Sequence, residues 1–280
     1  MTKEVKLLNK IKRLLKRLGC PRWLHHYGPK TYDFLHHFAA LLIKVQCRLS
    51  YRRVNKLLNS LDFLCPSKSA LQYTAKKLDS KFWEKVLCLT SGKHYLVAID
   101  STGFTRTNPS YHYLKRIDGK VPKIPIKLST SFDTRNKKFC AAKIRVLPAH
   151  DIRDAKYLLE KSNPKIGVAD KAYSAESLYR FAKEQNILLM IPRRKNVKKG
   201  RVRNQMHKLF RTRTYHRREL VESSNSSIKR KYGSSVNSKT VRTIRTEVYS
   251  RLACHNLFGK LHLTFRTEPA ACRPSCILPA

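Results

Sequence analysis

The chain has 280 residues, of which 41% are apolar, and this composition favours one large or two ordinary folded domains over global disorder. Its 60 Lys and Arg residues against 18 Asp and Glu residues give a formal charge of +42, which predicts a polyanionic partner, nucleic acid first. A basic ribosomal or RNA-binding protein would share this balance, so the charge alone does not predict catalysis.

The first segment of the chain is cationic and amphipathic. Leucine and isoleucine recur at helical spacing from Leu7 to Leu18, which predicts a helix. The segment lacks the cleavage site and the long apolar core of a signal peptide. We expect a basic helix packed on a DNA-binding unit, with a helix lying on a membrane surface as the alternative. No apolar stretch is long enough to span a bilayer, so no membrane is expected among the partners.

Residues 1–90 have a helical pattern, and two short helices within them are joined by a tight connection. Ser50 is the predicted N-cap of the first, and Pro66 with Ser67 or Ser69 marks the start of the second. The first helix carries the apolar residues Val54, Leu57 and Leu58. The polar face of the second carries Lys68, Gln72, Lys76 and Lys77. This pattern predicts a DNA-binding helix-turn-helix in which Lys76 contacts DNA, with a plain helical hairpin as the alternative.

The residue pattern changes after Thr90, from helical spacing to short apolar or alternating runs. Short apolar or alternating runs ending at Asp100, at Asp133 and in "FCAAKIRVLPA" predict three strands, the first of which ends at Asp100. Helical and strand patterns then alternate through "ILLMIP". The order predicts an α/β fold with a mixed sheet and flanking helices.

A basic run, "RRKNVKKGRVRNQMHK", follows the last predicted strand. It carries eight Lys and Arg residues and few apolar ones, so we expect an exposed loop that contacts nucleic acid. The candidate contacts are Arg193, Arg194, Lys198, Lys199 and Arg201.

The eight cysteines are scattered, and no two are spaced as C-x2-C. In a chain of this length they are expected to be free thiols in a reducing compartment. A zinc site is the alternative, but the spacing of its ligands fits no common pattern. Those ligands would be Cys254, His255, His262, Cys272 and Cys276.

Phosphodiester chemistry requires oxygen ligands that hold divalent metals beside the scissile phosphate. Asp100 follows the apolar run "LVAI" and Asp170 follows "IGVA", where side chains at strand ends typically form α/β sites. For Asp170 the alternative is a cap of the next helix. Asp133 is expected in an ordinary turn. Asp151 and Asp154 lie in the first turn of a predicted helix, where capping and the helix dipole explain them.

The segment "YHRRELVESSNSSIK" supplies a third acid. A helix over residues 215–231 places four polar side chains within an arc of about 60°. They are Tyr215, Arg218, Glu222 and Lys229. The apolar Leu220, Val221 and Ile228 then lie on the opposite face, and Glu219 lies off the polar stripe. A solvated charged face is the alternative, and the Ser and Asn residues weaken the helix propensity.

Together these segments resemble the DDE transposases of bacterial and archaeal insertion sequences. The subgroup has the signature Tyr-x2-Arg-x3-Glu-x6-Lys, which Tyr215, Arg218, Glu222 and Lys229 match without gaps. "AIDSTGF" resembles the first-aspartate motif of the family. "VADKAYS" resembles the second, D-x-x-Y, with Asp170 and Tyr173.

The resemblance implies a ribonuclease-H-like catalytic fold. It implies that Asp100, Asp170 and Glu222 are catalytic and bind two Mg²⁺ or Mn²⁺ ions. It further implies that certain side chains contact DNA, namely Tyr173, Tyr215, Arg218 and Lys229. Such enzymes act as homodimers on double-stranded DNA, cutting terminal inverted repeats and joining them to a target. A cytoplasmic, nucleoid-associated location is expected. Both tryptophans, Trp23 and Trp83, precede the catalytic region, so no base-holding tryptophan is assigned.

The expected organisation has three parts. Residues 1–90 form a helical DNA-binding domain, residues 91–262 form the catalytic domain, and residues 263–280 form a disordered tail. The alternatives to a transposase are an inactive transposase-derived DNA-binding protein, an RNA-binding protein without catalysis, and a ribonuclease-H-like nuclease.

Overall fold

The computed structural model describes residues 3–24, 27, 30–106, 125–147, 149–194 and 199–259. The helices before the sheet are α1 (Lys3–Arg17), α2 (Phe34–Gln46), α3 (Tyr51–Ser60), α4 (Lys68–Lys77) and α5 (Ser80–Ser91). The predicted tail, with His262, Cys272 and Cys276, lies outside the described residues.

Helix α1 packs its apolar face onto the rest of the protein. Ile11, Leu14 and Leu15 are buried in the core, because their spacing brings them to one side of the helix. Lys10 Nζ also donates a hydrogen bond of 3.0 Å to the carbonyl oxygen of Leu257. No helix in the described part of the chain is both long and apolar enough to cross a membrane.

The predicted caps of α3 and α4 are confirmed. Ser50 Oγ accepts a hydrogen bond from the backbone N–H of Arg53 at 3.2 Å, and Ser67 Oγ accepts one from Ala70 at 3.3 Å. Of the three apolar residues named for α3, Val54 and Leu58 are buried, whereas Leu57 is exposed. The predicted polar face of α4 is exposed and comprises Lys68, Gln72, Lys76 and Lys77.

A mixed sheet forms the centre of the fold, as predicted. Its strands are β1 (Leu96–Arg106), β2 (Ile126–Asp133), β3 (Lys138–Arg145), β4 (Ile166–Ala169), β5 (Leu188–Met190) and β6 (Ser235–Val236). The order is β3-β2-β1-β4-β5, with β6 beside the far end of β1. Strands β1, β2 and β3 are antiparallel neighbours, whereas β4 runs parallel to β1 and to β5.

The turn between β2 and β3 is held by Asp133, as expected from its composition. Asp133 Oδ1 accepts the backbone N–H groups of Arg135 at 2.7 Å and Asn136 at 3.0 Å. His94 Nδ1 lies 3.2 Å from the second carboxylate oxygen. Asp133 therefore has a structural role.

The later helices are α6 (Ile152–Ser162), α7 (Glu176–Glu184), α8 (Arg201–Lys208), α9 (Thr212–Tyr215), α10 (Glu219–Tyr232) and α11 (Val241–Phe258). Single 3₁₀ turns occupy Lys171–Tyr173 and His216–Arg218. Helices α8 and α11 were not predicted. Residues on every side of α11 are buried, so its sequence lacks the one-sided apolar pattern of a surface helix.

The largest hydrophobic cluster crosses the predicted domain boundary at residue 90. It contains Phe38 and Trp83 from the helical region, Phe132 from β2, and Val248 and Leu252 from α11. Helix α11 packs against α2, α5 and β3. The N-terminal helices and the sheet therefore share one core.

Candidate active site

Asp100 lies within β1 and not at its end, which corrects the sequence-based boundary. The strand continues to Arg106 because β2 remains paired with it, from Asp100 opposite Thr130 to Phe104 opposite Ile126. The pairing of β1 with β4 does stop at Ile99. Asp100 is thus the first residue of β1 beyond the parallel part of the sheet.

Asp170 follows β4 directly, so the structure brings the two aspartates to the same edge. Ile99 and Ala169 are paired in the parallel ladder, and each is followed by one of the two acids. The capping alternative for Asp170 fails, because its side chain makes no cap hydrogen bond to the 3₁₀ turn that follows. Its carboxylate therefore remains available at the carboxyl end of the strand.

Helix α10 carries Glu222 beside β1. Val221 and Ile228 are buried in the core, and this anchors the apolar face predicted for the segment. Glu222 Oε1 lies 2.6 Å from a terminal nitrogen of Arg218, and 49% of the Glu222 side chain is exposed. Glu219 is 75% exposed and its carboxylate lies 3.6 Å from His216 Nδ1. Glu222 therefore pairs with Arg218 of the predicted polar stripe, whereas Glu219 does not.

The predicted helix over residues 215–231 is interrupted near its start. Tyr215 ends α9, a 3₁₀ turn follows, and α10 begins at Glu219. The Arg218 guanidinium lies over the Tyr215 ring at 5.9 Å, and Lys229 Nζ lies over the Phe104 ring at 5.7 Å. All four signature side chains therefore lie along the segment that flanks β1.

The electrostatics link the three acids through Arg218. Burial raises the pKa of Asp100 and the Glu222 charge raises it further, whereas hydrogen bonds from Ser101 and Asn225 and the Arg218 charge oppose the rise. Burial tends to lower the pKa of Arg218, but Tyr215, Glu222 and Asp170 outweigh this and hold it above its ordinary value. The guanidinium thus partly offsets the mutual repulsion of the acids.

A buried chain of hydrogen bonds ties the two aspartate motifs to the sheet. Asp154 accepts from Ser129 Oγ at 2.9 Å, Ser129 accepts from Ser101 at 3.0 Å, and the Tyr173 hydroxyl lies 2.9 Å from Ser101 Oγ. Because each hydroxyl has one proton, Tyr173 donates to Ser101. Arg145 Nε donates to the other oxygen of Asp154 at 2.8 Å.

Two expectations are corrected by this chain. Tyr173 was expected to contact DNA, but it is 2% exposed and its hydroxyl is directed to Ser101. Burial raises its pKa strongly, so the hydroxyl remains protonated and able to donate. Asp154 was explained by capping, yet it is 1% exposed and paired with Arg145. Both residues position the site from the side of the sheet opposite α10.

The basic run after β5 is only partly a loop. Arg201–Lys208 forms helix α8, because Arg203 and Met206 are buried against α7. Glu176 accepts the backbone N–H groups of Val202 at 3.1 Å and Arg203 at 3.4 Å, so it supplies the helix with a distant cap. The exposed cations among the described residues of the run are Arg193, Arg194, Lys199, Arg201 and Lys208, whereas Lys195 and Lys198 lie outside the described residues.

Arg194 also contacts the active-site edge. Its guanidinium donates to the carbonyl oxygens of Lys171 at 2.8 Å and Ala172 at 3.0 Å, in the 3₁₀ turn that follows Asp170. This exposed arginine therefore supports the loop that carries the second aspartate.

A basic cleft of about 800 Å³ lies between α3, α4 and the start of α11. Its cations are Lys44, Arg48, Arg53, Lys76 and Lys239. Glu247 is the one acid among the described residues that line it, and it already pairs with Arg251 at 2.7 Å. Because the positive charges exceed the single paired acid, the cleft suits an anionic ligand.

The donor chemistry of the acidic edge fits a hard divalent cation, since Mg²⁺ and Mn²⁺ prefer carboxylate oxygens. Within the described residues, no group of three His, Cys, Asp or Glu side chains is gathered closely enough to hold a metal ion. The six cysteines described are free, and Cys254 Sγ donates to the carbonyl of Leu42 at 3.4 Å. His255 Nε2 lies 3.2 Å from the carbonyl oxygen of Lys137, and the other three ligands of the zinc alternative, His262, Cys272 and Cys276, lie beyond residue 259.

Comparison with known proteins decides the family. A family model described as "Transposase DDE domain" matches residues 91–257, which is more than half of the chain. The chain belongs to the DDE transposase domain family. No curated protein matches this transposase-family chain.

Two solved transposase structures are among those similar to this chain. One is a cryo-EM structure of the piggyBac transposase synaptic complex with hairpin DNA, which is 13% identical with a TM-score of 0.43 over 90% of this chain and 71% of that chain. The other is the Mos1 transposase paired-end complex with the left transposon end, which is 12% identical with a TM-score of 0.24 over 89% and 85%. Because both scores are low, the family assignment rests on the family model.

Proposed function

We propose that this protein is a DNA transposase that cuts DNA at the ends of its element and joins them to target DNA. The observation that carries the proposal is the meeting of Asp100 and Asp170 at one sheet edge, beside the helix that carries Glu222. In a chain with only 18 acidic against 60 basic residues, two acids at one sheet edge beside a helix that carries a third call for a positively charged ligand or a catalytic role.

Asp100, Asp170 and Glu222 are the residues that would hold divalent metal ions at this edge. Two bound Mg²⁺ or Mn²⁺ ions would supply activation of the attacking oxygen and stabilisation of the leaving oxygen. The sheet acids are held by the strand ladder, whereas the exposed Glu222 carboxylate is held by Arg218.

The cations of α10 and its flanking turn provide the contacts for the DNA backbone near the cut. Arg218 is anchored by Glu222 and Tyr215, so its planar guanidinium is presented with little further loss of freedom. Lys229, further along α10, is held over the ring of Phe104 on β1. Both charges are thus preorganised for phosphate oxygens.

The remainder of the DNA is proposed to follow exposed basic surfaces. The basic cleft, with Lys76, would take the phosphate backbone beside the α3–α4 pair, which we propose is a helix-turn-helix. The exposed cations Arg193, Lys199 and Arg201 would also contact DNA. The ribonuclease-H-like class of the sheet, the subgroup signature and a DNA-bound homodimer belong to the same proposal.

The test is incubation of the protein with labelled element ends, with and without Mg²⁺ or Mn²⁺. Metal-dependent cleavage products are expected, and Asp100→Asn should abolish them while leaving binding to the ends nearly unchanged. Binding without a product under any metal condition would favour an inactive DNA-binding protein. Equal cleavage of random DNA would favour a nuclease.

A further inference from the structure

Asn225 lies on α10, three residues after Glu222, with its side chain against β1. Its Nδ2 donates a hydrogen bond of 3.0 Å to Asp100 Oδ2, and the residue is 5% exposed. The orientation of the amide follows from chemistry, because an ionised carboxylate only accepts hydrogen bonds. The Asn225 nitrogen must therefore face Asp100, and its oxygen must face elsewhere.

That oxygen is the unexplained atom. Asn225 Oδ1 is buried and has no hydrogen-bond partner within the described part of the chain. A buried amide oxygen without a donor costs free energy, so its persistence calls for a reason.

Asn256 provides an internal comparison in the same protein. It is equally buried, but its Oδ1 accepts from the Phe139 N–H at 2.9 Å, and its Nδ2 donates to Phe139 O at 2.8 Å and Thr90 Oγ1 at 3.0 Å. Asn256 is a satisfied structural amide. Asn225 differs from Asn256 because its Oδ1 has no hydrogen-bond donor within the described part of the chain, and this amide lies next to Asp100.

The helical register explains why Asn225 can act together with Glu222. Residues three apart are neighbours on one face of a helix, so Glu222 and Asn225 approach β1 from the same side of α10. Asn225 thereby fixes Asp100 from the element that carries the third acid. The surrounding serines are small, which leaves the amide its space against the strand.

We propose that Asn225 is a positioning residue of the acidic site, holding the Asp100 carboxylate through Nδ2 and presenting Oδ1 to a hydrated divalent cation between α10 and β1. The inference rests on the proposed function. Mg²⁺ and Mn²⁺ keep part of their water shell in protein sites, and such water is the donor that Oδ1 lacks. Residues that orient metal ligands in this way typically contribute about 10- to 100-fold in metal affinity.

The test measures Mn²⁺ binding to the full chain without DNA, by the electron paramagnetic resonance signal of free Mn²⁺. Asn225→Leu retains most of the side-chain volume and removes both polar atoms. It should weaken Mn²⁺ binding about tenfold or more. In the absence of metal, the loss of the hydrogen bond to Asp100 should lower the unfolding temperature, whereas removal of the unpaired oxygen should raise it, so the net change should be smaller than in a variant that loses only satisfied hydrogen bonds.

Two further variants make the outcome decisive. Asn225→Ser suits a helix that already carries serines on both sides, and it should weaken Mn²⁺ binding as Asn225→Leu does. Asn256→Leu should unfold at a lower temperature yet retain the Mn²⁺ affinity of the wild type.

The failures are distinguishable. If Asp100→Asn weakens Mn²⁺ binding while both Asn225 variants stay within twofold of the wild type, the role of Asn225 is refuted and the proposed function stands. If the wild-type protein binds no Mn²⁺, the metal site itself is refuted, and the role of Asn225 with it.

Discussion

The hydroxyl of Tyr173 lies 2.9 Å from Oγ of Ser101 and joins the loop after β4 to β1. Ser101 is the residue after Asp100, and Tyr173 is three residues after Asp170. The bond therefore connects the two aspartate motifs from the face of the sheet opposite α10. Ser129, Asp154 and Arg145 extend it into β2, α6 and β3. The spacing of the two acids thus depends on buried polar groups as well as on the strand ladder.

Tyr173→Phe should weaken the site more than it weakens the fold. Loss of one hydrogen bond should lower the free energy of unfolding by about 1 kcal/mol. Strand cleavage should fall severalfold, because the loop that carries Asp170 loses its tie to β1. Chemical denaturation and single-turnover cleavage at saturating protein measure the two effects.

Tyr232→Phe is the matched control. Its hydroxyl donates a comparable bond of 3.0 Å to Gln46 on α2, away from the aspartates. It should cost similar stability and leave cleavage within twofold of the wild type. Equal losses of cleavage in the two variants would show that Tyr173 acts only through stability.

Glu222→Gln and Glu219→Gln should separate the two glutamates of α10. Loss of a metal-holding carboxylate removes several kcal/mol of transition-state stabilisation, so Glu222→Gln should cleave at least ~100-fold more slowly. Glu219→Gln alters an exposed side chain outside the acidic edge and should leave the rate unchanged. Gel-based cleavage assays in Mg²⁺ measure both variants, and similar rates for the two would remove Glu222 from the site.

Arg48→Ala with Lys76→Ala should weaken DNA binding and reduce its dependence on salt. Each lost phosphate contact should lower the slope of log affinity against log salt by about 0.9. Lys12→Ala with Lys16→Ala removes two exposed cations of α1 outside the cleft and controls for net charge. Titrations of labelled duplex at several salt concentrations supply the slopes. The same slope for both double variants would exclude the basic cleft from the interface.

Asp133 should contribute to acid sensitivity of the fold. Burial tends to raise the pKa of Asp133, but hydrogen bonds from His94, Asn136 and Arg135 outweigh it and hold the pKa below its ordinary value of 3.8. The stabilisation is therefore full above the ordinary value and is lost as the pH falls through the lower folded pKa. Asp133→Asn should be less stable at neutral pH and should lose less stability on acidification. Unfolding free energies measured from pH 7 downward test this, and parallel curves would contradict it.

The elements that carry Asp100, Asp170 and Glu222 were predictable because apolar strand runs and helical spacing are local patterns. The apolar runs before Asp100 and Asp170 identified both strands, and the stripe through Glu222 separated it from Glu219. The end of β1 was not predictable in this way, since its continuation past Asp100 depends on pairing with β2, a partner distant in sequence.

The roles of several buried polar residues could not be predicted from the sequence. Arg203 in a basic run gives no sign that Glu176 pairs with it at 3.6 Å and helps to form α8. Asn225 lies in a run of serines, and only its position one turn after Glu222 could have drawn notice. Tyr173 belonged to a motif associated with DNA, yet its contact is internal. These roles arise from contacts between residues far apart in the chain.

The core shared across residue 90 has a mechanical consequence. Trp83 and Phe38 pack in the same cluster as α11 and the strands, and tightly packed interiors transmit displacement. A fragment beginning at residue 91, where the family similarity starts, would leave that apolar surface open to water. Under the proposed function, α4 and the sheet would hold a bound DNA end as one rigid unit. The distance between the DNA contacts beside α4 and Asp100 would then determine the position of the cut.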